Sequence, residues 1–201
     1  VCDFVRLVHS PSQGIPGLMR RYTQQRSNES FSFEQSYRPD EDVVVSNEDQ
    51  SLPESFVTPG HPKEVVDFSP NGAYSSYNWE LFFHAPLLIA NTLSRNQRFE
   101  EARDWYHYIS NPLGVETGAS GGSAMSKYWI TKPFFETTDA QYLSQRIERI
   151  IQLLSDERSE PGGVLTEVEK QVLDWRNNPF EPHRIANYRT VAYQKTVVMK
   201  Y

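Results

Sequence analysis

The stretch Tyr77–Leu93, YNWELFFHAPLLIANTL, is dense in aromatic and aliphatic residues, so it reads as a membrane segment, a cofactor pocket or the centre of a helical core. A membrane-spanning helix needs about 20 mostly apolar residues. Here the run Leu81–Phe83 is followed at once by His84 and then Pro86, too short and too polar for a span. Leu81, Phe82, Phe83, Leu87, Leu88 and Ile89 point all round a helix, which predicts enclosure by partners on several sides, some of them outside this chain. Pro86 lacks the amide that would bond the Phe82 carbonyl, which predicts a kink or a helix restart.

Moving outward, Ser75, Ser76 or Asn78 is placed to cap this helix, and Glu80 suits the positive end of its dipole. After SRNQ, the stretch RFEEARDWYHYI predicts a second amphipathic helix with Phe99, Ala102, Tyr106 and Ile109 on one face, completing an αα-hairpin. Asn111-Pro112 and Gly114 end it, and the Gly/Ser-rich segment 117–126 reads as a loop. KYWITKPFF predicts a short extended piece, and AQYLSQRIERIIQLLSD one helix over Ala140–Asp156. LTEVEKQVLDWRNN carries a capping-box signature at Thr166 and Glu169. Thr190–Tyr201 reads as a helix without a Gly, Asn or Pro terminator, which predicts that the chain continues in a longer protein. Towards the start, Cys2–His9 nearly alternates and predicts a short strand, and GIPGLMRRYTQQ a short helix. DVVVS and SFV are further candidate strands in a polar, Pro-punctuated stretch. The expected fold is mainly α: a helical hairpin and further packed helices, with irregular and short β segments near the N-terminus. The expected division is an irregular segment 1–64 and a helical domain 65–201.

Composition narrows the function. A chain of 201 residues with a formal charge of -6 and no long basic cluster argues against nucleic acid as a partner. The single cysteine, Cys2, excludes an intrachain disulfide framework and reads as a small apolar residue beside a strand rather than a reactive thiol. No charged and then apolar leader pattern is visible at Val1. The sharpest enzymatic pattern is Glu80 and His84, one helical turn apart, facing Asp104 and His107 across the hairpin, an arrangement that suits a metal in a carboxylate-bridged bundle. Such a site wants a second E-x-x-H and two more carboxylates, which are missing, so dipole pairing for Glu80 and local hydrogen bonding for His84 and His107 are favoured. There is no nucleophile elbow, P-loop or dinucleotide fingerprint, and Gly118, Gly121 and Gly122 lack the Lys-Ser/Thr that a phosphate cradle requires. His61 and His183 sit beside prolines in turns. Trp79, Trp105, Trp129 and Trp175 suit core anchors better than a sugar platform. Leu81, Phe82, Leu88, Trp105 and Tyr108 form the expected packing centre. No catalytic residue, metal or cofactor is assigned. One tetratricopeptide-like unit is discernible, but no second copy follows at a period of about 34 residues.

The segment from Gly72 to Pro112, GAYSSYNWELFFHAPLLIANTLSRNQRFEEARDWYHYISNP, resembles part of the A subunit of the bacterial insecticidal toxin complexes, the Tc toxins. The resemblance continues through VDFSPNGAY, YWITKPF and WRNNPFEPHRIANYRTVAYQKTVVMKY, and more weakly through FVRLVH. It covers most of Val65–Tyr201, whereas the loop Gly114–Ser126 and the helix Ala140–Asp156 find no counterpart. What the resemblance implies is a non-enzymatic segment, late in a helical shell ahead of the linker and pore-forming region. Such A subunits form pentamers with other copies of themselves, bind a host cell surface and the other toxin-complex subunits, and translocate a toxic cargo. That implies a secreted or cell-surface location. Two alternatives stay open on the residues alone: a self-contained helical protein-interaction module, and a metal-dependent enzyme.

Overall fold

The computed structural model describes residues 2–26, 65–69, 72, 74–114, 125–155, 172–173, 176 and 190–201. Its axis is the continuous helical path from Ser75 to Arg95, made of α4 (Ser75–Trp79), a π turn (Glu80–His84) and α5 (Ala85–Arg95). Ahead of it run α1 (Cys2–Val8), α2 (Gly14–Leu18) and α3 (Arg21–Gln25). Behind it come α6 (Phe99–Tyr106), a 3-10 turn (Ser126–Tyr128), α7 (Lys132–Phe135), α8 (Asp139–Ser144), α9 (Ile147–Ser155) and α10 (Thr190–Lys200). The described residues are mostly helical and contain no strand, only an isolated antiparallel bridge between Ser110 and Trp129. The fold is mainly α, as the sequence predicts.

The irregularity expected at Pro86 is a π turn, closed by a hydrogen bond from the Ala85 amide to the Glu80 carbonyl. In a regular α-helix the proline ring would press on the Phe82 carbonyl and offer it no amide. A wider turn moves that carbonyl aside, and the Thr131 hydroxyl donates to it at 3.3 Å from a fully buried position. Consecutive side chains of a helix leave its axis about 100° apart. Phe82 and Phe83 are both completely buried, in separate clusters. Phe82 packs with Leu18 and Met19, against Phe4, Phe68 and Tyr108. Phe83 joins Ala90, Ala102, Tyr106, Ile109, Trp129, Phe134, Phe135 and Val197. The enclosure expected for this helix is thus supplied in large part from within the chain.

The hairpin closes through small residues. Ala90 and Ala102 are buried between α5 and α6, so the backbones approach closely, and the Tyr106 hydroxyl donates to Asn91 Oδ1 at 2.9 Å. The reversal is a Schellman turn: Arg98 N–H reaches the Leu93 carbonyl, Gln97 N–H reaches Ser94, and Gln97 takes a left-handed φ of 61°.

Several local expectations need correction. Cys2–His9 is not a strand but opens as α1, because its apolar residues also satisfy helical rows; Phe4 and Leu7 are half-buried, and Asp3 pairs with Arg6 at 3.0 Å. KYWITKPFF is extended only around Trp129 and Thr131, and Pro133 then starts the short helix α7. The single helix expected over Ala140–Asp156 is two, broken at Gln145, whose side chain turns to receive the Thr190 hydroxyl and the Val191 amide, each at 3.1 Å. Of the expected packing centre, Phe82 is buried, Leu81, Trp105 and Tyr108 are half-buried against the two clusters, and Leu88 is 67% exposed. Phe99 likewise lies outside the hairpin seam. The candidate strands DVVVS and SFV and the capping box at Thr166 and Glu169 lie outside the described residues. A capping box does form at Thr138 and Gln141, which start α8.

Truncating Phe82 to Ala removes a ring enclosed on all sides and is expected to cost about 3–5 kcal/mol. Leu88→Ala, on the open face, is expected to change stability by no more than about 0.5 kcal/mol. Urea unfolding of the two variants checks the ordering, and equal losses would place the core elsewhere.

Candidate functional site

Trp129 and Thr131 are buried, and among the described residues no strand lies beside Trp129–Lys132, only the bridge from Trp129 to Ser110. Their backbone groups therefore need side-chain partners. Gln24, fully buried on α3, provides two of them: its Nε2 donates to the Ile130 carbonyl at 3.1 Å and its Oε1 accepts from the Lys132 amide at 2.8 Å. The amide group thus stands in for a strand neighbour. Arg21, three residues earlier, donates to the Trp129 carbonyl at 2.6 Å and to the Ser126 carbonyl, and its guanidinium lies 4.4 Å from the Phe135 ring centre. Burial holds this guanidinium below its ordinary pKa. The Ile130 amide completes the set by donating to the Ile109 carbonyl at 2.9 Å. Lys132 Nζ reaches the Val66 carbonyl at 3.0 Å, while Asn78 and Trp79 donate to the Asp67 and Phe68 carbonyls.

A second joint is aromatic. Tyr193 of α10 packs on Trp79 and Phe83 with centroids 5.4 and 4.9 Å apart, and Phe134 of α7 meets the same two rings at 5.9 and 5.4 Å. Offset and edge contacts of this kind contribute roughly 0.5–1.5 kcal/mol per pair beyond simple burial. Tyr142 of α8 exchanges hydrogen bonds with the buried Gln194 side chain, so α10 is held along its inner face. At its end Tyr201 stacks on His107, with centroids 5.7 Å apart, and its hydroxyl lies 3.0 Å from Nε2.

These contacts account for most of the candidate site residues. His84 lies against the rings of Trp79, Phe83 and Tyr193, His107 engages Tyr201, and Asp104 pairs with Arg103 on the exposed face of α6. Glu80 is exposed. Among the described residues no group of three or more His, Cys, Asp or Glu is placed to hold a metal ion, so the four-residue cluster is not assembled. Trp129 is buried and Trp79 and Trp105 are half-buried, each packed into the first cluster. Cys2 begins α1. Trp175, His61, His183, Gly118, Gly121 and Gly122 lie outside the described residues. Among the described residues no helix is long and apolar enough to cross a membrane. Arg21, Gln24 and Thr131 escaped the sequence reading, since nothing in the order of residues marks which polar side chains will face backbone far along the chain.

Fold and contacts define a mainly α protein whose buried polar side chains are spent on positioning backbone. Over 95 residues, 47% of the chain, the sequence is 32% identical to toxin subunit YenA2 of Yersinia entomophaga. The match covers 7% of that subunit, so the chain corresponds to a small part of its relative. This likeness supports the resemblance to the Tc toxins at the level of a toxin subunit. No protein-family model and no solved structure matches the chain.

Burial and the neighbouring Arg103 lower the His107 pKa, against a smaller opposing pull from Asp104, and Tyr201 stacks on the ring. A histidine whose folded pKa is depressed takes up protons more readily when released, so its contribution is present above about pH 6.5 and is lost as pH falls. Melting temperature is therefore expected to drop less on acidification in His107→Phe, which keeps a ring for stacking but cannot titrate, than in the parent chain. Identical pH profiles would remove His107 from the account.

Proposed function

We propose that the chain is a non-enzymatic structural segment of a Tc-toxin-like A subunit, part of a secreted or cell-surface assembly that binds host cells and translocates a toxic cargo. The observation that carries this reading is the likeness to a toxin subunit over nearly half of the chain. The internal design supports it as well. Arg21, Gln24 and Thr131 each bond to carbonyls of distant segments, and Gln24 also receives an amide, which suits a scaffold that must hold shape. In this reading the partners are other copies of the subunit, five in the ring, together with the remaining toxin-complex subunits. Host-surface contact would belong to regions outside these 201 residues.

A self-contained helical interaction module is the second reading, favoured by one feature: the outward face of α10, where Met199 is 85% exposed. Native size separates the two. Extract from the source, resolved under native and denaturing conditions and probed with an antibody to this chain, is expected to show a polypeptide many times 23.3 kDa that assembles as a ring. A monomer near 23.3 kDa would overturn the subunit reading and leave the module.

A further inference from the structure

We draw no further inference here: the strongest candidate, the exposed apolar patch of Val198 and Met199 on the outward face of α10, carries nothing because nothing in the structure shows what covers it.

Discussion

The carbonyl of Phe82 is the constraint on which the arrangement depends. Pro86 deprives it of its helical donor, and both Phe82 and its new donor, Thr131, are fully buried, out of reach of water. An unsatisfied buried acceptor costs about 1–3 kcal/mol, a large share of the stability of an ordinary domain. The hydroxyl of Thr131 therefore ties the central helix to the Trp129–Lys132 segment. Once that segment is fixed, Arg21 and Gln24 have their targets, Phe134 and Phe135 enter the first cluster, and α3 is drawn to α7. The π turn accommodates the proline, while Phe82 and Phe83, neighbours on the same helix, enter different clusters, so that one helix organises both.

What could be read from the sequence follows from which forces are local. The αα-hairpin was legible because Ala102, Tyr106 and Ile109 recur at helical spacing and Asn111-Pro112 supplies a stop. The break near Pro86 was legible because a missing amide is a property of one residue. The Cys2–His9 segment misled because over seven residues a near-alternation and a helical row share most of their positions. Leu88 misled for a different reason. Hydropathy says that a residue can be buried, whereas tertiary packing decides whether it is, and Leu88 is left exposed. The contacts of Gln24 and Arg21 with residues more than a hundred positions later carry no local signature.

The candidate metal cluster illustrates the same separation. Glu80, His84, Asp104 and His107 have suitable residue types and spacing, but tertiary packing gives His84 to the aromatic joint and His107 to Tyr201. Side chains that looked chemical in the sequence take part in holding α10, and the face of α10 left over is apolar and basic. The likeness to a toxin subunit and the long-range hydrogen bonds within the core are what the proposed scaffold reading rests on.

The most direct measurement is a double-mutant cycle on Pro86 and Thr131 by denaturant unfolding. In Pro86→Ala the amide of residue 86 can serve the Phe82 carbonyl, so the Thr131 hydroxyl is no longer needed. The account predicts that Thr131→Val costs about 1–3 kcal/mol with proline present and clearly less with alanine, a coupling of at least about 0.5 kcal/mol. Equal costs in the two backgrounds would contradict it, because the hydroxyl and the proline would then act independently.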